Sequence, residues 1–122
     1  MGGLIKSFAY AFNGLRSALK TERNLRIHIV AMCLAVILGL YLGLTTIEWG
    51  LIIFAIGFVF FAELINTAIE RLGDEAANGQ YKKAVKNAKD TAAAAVMLSA
   101  LIALIIGILV LFIPLVNKLS NL

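Results

Sequence analysis

Hydrophobic positions fall into three long segments without charged residues, 27–44, 49–62 and 91–116. A membrane core of about 30 Å requires about 20 helical residues, so the first and third segments are long enough to span it. The second reaches that length only if it continues to residue 69, which places Glu63 and Asn66 inside the membrane region. The pattern predicts an all-α integral membrane protein with transmembrane helices at about 27–44, 49–69 and 91–113.

A different periodicity precedes the first of these segments. Apolar residues recur there every three or four positions, and basic and polar residues occupy another helical face. The apolar positions are Leu4, Phe8, Phe12, Leu15 and Leu19. This predicts an amphipathic helix within 1–24 that lies in the membrane interface. The alternative is a soluble helix packed on a cytoplasmic loop. A cleaved signal peptide is disfavoured, because the apolar run begins only at Ile27 and leads directly into a second one.

Composition narrows the protein class further. The chain has 122 residues, of which 61% are hydrophobic and 15% charged. These values exclude intrinsic disorder and a water-soluble globule of this size. The length fits one domain, 1–122. A single cysteine excludes an intrachain disulfide and a cysteine-rich zinc site.

The basic residues predict the orientation. Ten of the eleven precede the first span or lie in the predicted loop 70–90, and only Lys118 lies elsewhere. The positive-inside rule therefore places the N-terminus and this loop in the cytoplasm and the C-terminus outside. The net charge of +4 is thus explained by membrane topology, and we expect no nucleic-acid partner.

Four polar residues form a stripe along the second span. Glu63, Asn66, Glu70 and Asp74 are spaced three, four and four apart, on one helical face. Glu63 lies about 10 Å deeper than Glu70 at 1.5 Å per residue. An acidic residue at membrane depth is costly and indicates a functional site. The alternatives are an interhelical hydrogen bond, which Asn66 alone could supply, and a proton or ion path.

Further charged residues fall at the same membrane level as Glu70. Glu22 precedes the first span, and Lys89 and Asp90 precede the third. Carboxylates and lysines gathered at one level can hold Mg²⁺ and a polyphosphate. Singly, Glu22 could pair with Arg26 and Asp90 could be a helix N-cap; their convergence favours a site. Because no Walker-type or protein-kinase motif occurs, a nucleotide would bind by another design, covered by the polar loop 73–81.

Two motifs carry a family resemblance. The octapeptide ELINTAIE at 63–70 and Ala88-Lys89-Asp90 resemble the small bacterial three-span lipid kinases, which comprise diacylglycerol kinase and undecaprenol kinase. The segment 21–24 (TERN), with Arg26 and His28, resembles the undecaprenol kinase branch. The resemblance extends over about residues 5–113.

The resemblance implies a homotrimer in the bacterial inner (plasma) membrane, with active sites shared between subunits. It also implies ATP, Mg²⁺ and a lipid alcohol, undecaprenol or diacylglycerol, as substrate. Glu63 would be the general base, with Asn66 beside it, and Glu22 and Glu70 would hold the metal. The implied nucleotide contacts are Tyr10, Glu22, Glu70, Asp74, Gln80, Tyr81, Lys89 and Asp90. The implied lipid contacts are Arg16, Asn24, Arg26 and Glu63.

Three positions depart from the diacylglycerol kinase branch. Gly3 stands where that branch has arginine, Ala93 where it has serine, and Gly79-Gln80-Tyr81 matches its loop only loosely. The lipid and the loop contacts therefore stay open, and we expect His28 to have a structural role. Two other functions also stay open at this point, a non-enzymatic subunit of a membrane complex and an ion-coupled transporter.

Overall fold

The computed structural model describes residues 2–122, which form helices joined by short turns. The helices are α1 (Gly2–Thr21), α2 (Arg23–Leu42), α3 (Thr46–Ala77), α4 (Lys83–Gly107) and α5 (Ile113–Ser120), with a π-helical segment (Ile108–Phe112) between α4 and α5. Met1, in the predicted N-terminal segment 1–24, lies outside the described residues. The all-α class is confirmed. Three helical segments are long and apolar enough to cross a membrane: α2, α3, and the continuous stretch 83–120 from α4 through α5.

The predicted loop 70–90 is mostly helical, which corrects the sequence-based boundary. α3 continues to Ala77 and α4 begins at Lys83, so only residues 78–82 form the turn. The segments 70–77 and 83–90, on either side of this turn, are rich in good helix formers and contain no proline. The helices therefore need not end at the membrane surface. α3 ends where Asn78 and Gly79 adopt left-handed backbone conformations. Asp90 lies inside α4, so its interpretation as an N-cap is wrong.

A tight hairpin, at residues 43–45, joins the first two spans. α2 ends at Gly43, whose backbone is left-handed and whose N–H donates to the Gly39 carbonyl. Thr45 caps α3: its hydroxyl accepts from the Glu48 N–H, and the Glu48 carboxylate accepts from the Thr45 N–H over 2.8 Å. This capping box begins α3 with only three residues between it and the end of α2, and so short a connection leaves the two helices antiparallel.

Half of the buried side chains among the described residues belong to α3, which packs mainly on α4 and also on α2. Its buried residues are Ile52, Ala55, Val59, Ala62, Glu63 and Thr67. At the end near the hairpin, Ile52 joins Val110 and Leu111 in an apolar cluster. Many large apolar side chains remain exposed in the single chain. Such surfaces suit contact with lipid or with neighbouring helices.

The N-terminal helix α1 has only one buried residue, Ala18. Leu4, Phe8 and Phe12 on its apolar face are each at least 60% exposed. Arg26 donates to the carbonyls of Leu19 and Lys20, over 2.9 Å each, and so caps the C-terminal end of α1. Among residues 2–122, Arg26 therefore forms no ion pair with Glu22, contrary to one alternative considered above.

The third span changes its helical pitch before Pro114. The Ile113 N–H donates to the carbonyl of Ile108, five residues earlier. Proline has no N–H and its ring clashes with the carbonyl four residues before it, which accounts for a local widening of the helix. The predicted span 91–113 accordingly begins within α4 and ends at the first residue of α5.

Candidate functional site

The deepest polar contact joins α2 and α3. Glu63 is 4% exposed, and its Oε1 lies 3.1 Å from Nε2 of His28. In its ionised form a carboxylate only accepts hydrogen bonds, and Nε2–H of the imidazole is then the donor. Among residues 2–122, no hydrogen bond reaches the second oxygen, Oε2. The structure thus holds a buried carboxylate by one oxygen and leaves the other free.

An apolar cavity of about 270 Å³ lies between α2, α3 and α4, next to this pair. Among residues 2–122, His28 is the one ionisable residue that lines it, and it lies at the end of the lining segment nearest the start of α2. The remaining lining comes from residues such as Met32, Ile56 and Leu104. A carboxylate is therefore tied to the polar end of an otherwise apolar cavity.

Asn66 lies about one turn after Glu63 on α3, toward the turn at 78–82. Its Oδ1 is buried and has no hydrogen-bond partner among the described residues. An unsatisfied buried carbonyl costs about 1–3 kcal/mol, so this oxygen is available to a ligand or a neighbouring chain. Asn66 also lines a groove of about 660 Å³ between α3 and α4, together with Asn87 and Thr91.

The ends of α3 and α4 that adjoin the turn at 78–82 form a pocket of about 530 Å³, which the predicted topology places on the inner side of the membrane. Five of its lining residues are among the eight predicted nucleotide contacts, and the structure brings them together although they come from two helices and a turn. They are Asp74, Gln80, Tyr81, Lys89 and Asp90. Lys82 and Lys86, which the sequence analysis did not assign to the site, also line the pocket. The pocket is therefore rich in cations.

Two ion pairs organise this pocket. The Lys89 ammonium donates to Asp74 and so links α4 to α3. Lys86 pairs with Asp90 over 2.6 Å within α4. Lys89 precedes the apolar segment, and its hydrogen bond to Asp74 raises the pKa of the ammonium above its usual value, with a further contribution from the charge of Glu70. Lys89 therefore stays cationic at neutral pH, within electrostatic reach of Glu70.

The two predicted metal ligands are connected through their neighbours in sequence. Arg71 Nη2 donates to the Thr21 hydroxyl over 2.9 Å, and this hydroxyl lies 3.3 Å from Oε1 of Glu22. Among residues 2–122, neither Glu22 nor Glu70 forms an ion pair, and no three His, Cys, Asp or Glu residues gather as a metal site. Two free carboxylates suit Mg²⁺, which commonly takes one or two protein carboxylates together with substrate phosphates.

The other predicted contacts lie apart from Glu63 in the single chain. Tyr10, Arg16 and Asn24 are exposed, and the structure pairs none of them with another predicted site residue. Arg26 is occupied by the carbonyls of α1. Their proposed roles toward lipid and nucleotide remain predictions.

His28 is the main site residue that the sequence analysis missed. It precedes Gly43 by 15 residues, and Glu63 follows Thr45 by 18. In an antiparallel helix pair joined by a short hairpin, residues at similar distances from the turn lie at similar depth. The similar distances of His28 and Glu63 from the hairpin were the sequence signal that could have placed the imidazole beside the carboxylate.

A family described as prokaryotic diacylglycerol kinase matches residues 9–111 of the sequence. The chain belongs to the prokaryotic diacylglycerol kinase family. This confirms the resemblance drawn from residues 63–70 and 88–90. It also confirms the prediction of an enzyme of the lipid kinase class, in preference to a non-enzymatic subunit or a transporter.

Relatives in this family extend over most of the chain. The undecaprenol kinase of Bacillus subtilis (strain 168) is 43% identical over 89% of the chain and 87% of its own length. A diacylglycerol kinase of Synechocystis is 36% identical over 93% of the chain and 65% of its own length. The diacylglycerol kinase of Escherichia coli (strain K12) is 33% identical over 84% of the chain and 83% of its own length. Together with the three apolar helices, these relatives identify a bacterial membrane protein.

Proposed function

We propose that the protein transfers the γ-phosphoryl group of ATP to the hydroxyl of a membrane lipid, with undecaprenol favoured over diacylglycerol. The observation that carries this proposal is the buried carboxylate of Glu63, held by His28 next to an apolar cavity. A lipid alcohol requires both features, since its chain stays in an apolar environment while its hydroxyl meets a base.

The chemistry follows from the free oxygen of Glu63. Oε2 accepts the proton of the lipid hydroxyl while the lipid oxygen bonds to the γ-phosphorus. The bond from that phosphorus to the β–γ bridging oxygen breaks, and ADP leaves. Phosphoryl transfer depends mainly on positioning and on electrostatic stabilisation. Lys89 supplies a positive charge from the pocket between α3 and α4.

The nucleotide fits the charge of this inner pocket. Lys82, Lys86 and Lys89 offer cations to the phosphates, and Tyr81 offers an aromatic surface. Glu22 and Glu70 would hold the Mg²⁺ ion. When bound, Mg²⁺ would offset the phosphate charge and orient the γ-phosphoryl group.

The preference for undecaprenol is supported by two observations. The relative at 43% identity is named undecaprenol kinase, whereas the relatives at 36% and 33% are named diacylglycerol kinases. The sequence around Glu22 and His28 resembles the same branch. The lipid assignment can be tested directly.

A lipid panel provides that test. The purified protein in mixed micelles receives radiolabelled ATP, Mg²⁺, and either undecaprenol or diacylglycerol, and labelled lipid is quantified. We expect transfer to both, with a higher kcat/KM for undecaprenol, and a rate at least about 10²-fold lower with Glu63→Gln. A higher kcat/KM for diacylglycerol would overturn the lipid assignment, and no transfer to either lipid would overturn the proposed function.

We also propose a homotrimer with sites shared between subunits. A single chain leaves large apolar surfaces uncovered, leaves Asn66 Oδ1 without a partner among the described residues, and gathers few carboxylates. To test this, Glu22→Gln and Glu63→Gln proteins are unfolded, mixed and refolded together, with separately refolded variants as controls. We expect partial recovery of activity. Mixed trimers that form but stay inactive would place Glu22 and Glu63 in one site of one chain.

A further inference from the structure

We propose that His28 is the positioning residue of Glu63: its Nε2–H fixes one carboxylate oxygen so that the other faces the lipid hydroxyl. This inference rests on the proposed function and extends it to a residue outside the predicted site. His28 touches neither the phosphates nor the transferred proton in this scheme. It acts through the orientation of the carboxylate.

The carboxylate has no other means of orientation within the described chain. A glutamate side chain has several rotatable bonds, and freezing them opposes binding and catalysis. The hydroxyl of Thr67 donates to the backbone carbonyl of Glu63 and not to its side chain. The contact at 3.1 Å from His28 is thus the single polar contact that selects a carboxylate orientation among residues 2–122.

The imidazole is itself well placed to serve this role. Leu25, one turn earlier on α2, is 1% exposed and anchors this part of the helix. The His28 side chain is 26% exposed while that of Glu63 is 5% exposed, so the ring extends from the buried carboxylate to the accessible edge of the helix pair. The rotation of α2 against α3 therefore sets the direction of Nε2.

The residue type also fits the chemistry. A lysine or arginine at this position would form a permanent ion pair with the carboxylate and weaken it as a base. An imidazole N–H orients the carboxylate without the permanent charge of those two residues. It leaves Oε2 able to accept a proton from the substrate hydroxyl.

The first test compares three variants in the mixed-micelle assay, with whichever of undecaprenol and diacylglycerol the wild type phosphorylates faster. His28→Leu removes the donor, and His28→Gln retains an N–H donor of similar reach. Val30→Leu is the control on the same helix, at an exposed residue that does not line the cavity. Misplacing a reacting group by about 1 Å costs about 10²-fold in rate. We expect kcat to fall about 10²-fold in His28→Leu, with both KM values within about threefold, and to recover at least about tenfold in His28→Gln.

The second test separates positioning from a purely structural role. If His28 acts through Glu63, His28→Leu causes no further loss in a Glu63→Gln background, whereas a structural defect would lower the residual rate again. The sequence contains one histidine, so ¹⁵N-histidine labelling gives the NMR signals of this ring alone. We expect Glu63→Gln to shift the Nε2 signal and Glu75→Gln to leave it unchanged.

The outcomes distinguish the two proposals. An active wild type together with an unaffected kcat in His28→Leu, or an unchanged Nε2 signal in Glu63→Gln, would overturn the role of His28 and leave the kinase assignment standing. If His28→Leu loses its fold in micelles, the His28→Gln variant and the NMR comparison decide. A wild type that phosphorylates neither lipid would overturn the proposed function, and the role of His28 with it.

Discussion

Arg71 donates a hydrogen bond to the hydroxyl of Thr21 over 2.9 Å, which joins residues fifty positions apart. The contact ties the junction of α1 and α2 to the inner end of α3. Glu22 directly follows Thr21, and Glu70 directly precedes Arg71. The hydrogen bond therefore brings together the two segments that carry the proposed metal ligands.

Removing this tie is expected to weaken binding of the metal–nucleotide complex. Thr21→Val deletes the hydroxyl at nearly constant volume, and a hydrogen bond of this kind contributes about 1 kcal/mol. We expect KM for ATP to rise roughly fivefold, as that energy implies, with a smaller change in kcat. Thr46→Val, an exposed residue at the opposite end of α3, is the control. Equal KM values in both variants would contradict the prediction.

Glu63→Gln is expected to preserve folding and abolish most of the activity. The amide keeps the size of the side chain but cannot accept the substrate proton, and general bases contribute about 10²–10⁴-fold. Initial rates of lipid phosphorylation and the melting temperature in micelles measure the two effects. The control is Glu75→Gln, an exposed carboxylate on the same helix. Wild-type kcat in Glu63→Gln would refute the general-base assignment.

The inner pocket predicts a difference between two neighbouring lysines. Lys89→Met removes the charge but keeps the apolar stem that packs on Gly73, and it leaves Asp74 without its cation. The variant loses a cation that faces the phosphates, and the unpaired negative charge of Asp74 repels them. Both effects weaken ATP binding. We expect KM for ATP to rise about tenfold. Lys83→Met, outside the pocket lining, should stay near wild type, and equal effects would argue against a nucleotide in this pocket.

Close packing at the hairpin between α2 and α3 predicts a stability effect. A Cβ at Gly39 would lie 2.8 Å from Cη2 of Trp49 and 3.0 Å from Cδ1 of Leu44. Overpacking of this kind costs about 1–3 kcal/mol, so Gly39→Ala should lower the melting temperature in micelles. Gly57→Ala, on an open part of α3 with no atom within 4 Å, is the matched control. A Gly39→Ala protein as stable as this control would show that the helices can move apart freely.

The proposed orientation can be tested without an activity assay. In a Cys33→Ala background, single cysteines are introduced at Thr46 and Asn78, at the two turns that separate the spans. A membrane-impermeant thiol reagent should label residue 46 in intact cells and residue 78 only after permeabilisation. Labelling of both residues from the same side would refute three spans, and the reverse pattern would invert the orientation.

The sequence was most informative where one physical effect dominates. The apolar segments predicted three spanning helices because the bilayer requires a set length, and the polar stripe from Glu63 to Asp74 predicted a shared helical face. The ends of the helices were less accurate. The charged residues of 70–90 were interpreted as a loop, although residues of this kind also sustain a helix in water, and only Asn78 and Gly79 end it.

Contacts between distant residues were the least predictable part of the site. The pairing of His28 with Glu63 depends on the rotation of α2 against α3, which close packing at Gly39 and Trp49 helps to set. Hydrophobic periodicity does not determine that rotation. Hydrophobic periodicity also does not predict the hydrogen bond between Arg71 and Thr21, since water could satisfy the hydrogen-bonding groups of both exposed side chains.

α3 is unbroken over 32 residues, about 48 Å at 1.5 Å per residue, and so exceeds a bilayer core of about 30 Å. Glu63 and Asp74 are eleven residues apart on this one rod, about 16 Å along its axis. Helices tilt when the hydrocarbon thickness does not match their apolar length. Because α3 is continuous between the two residues, a tilt of this helix moves the buried carboxylate of Glu63 and the water-exposed pocket at Asp74 together, relative to the lipid headgroups. The thickness of the surrounding bilayer thereby becomes a variable in the alignment of a lipid hydroxyl with its phosphoryl donor.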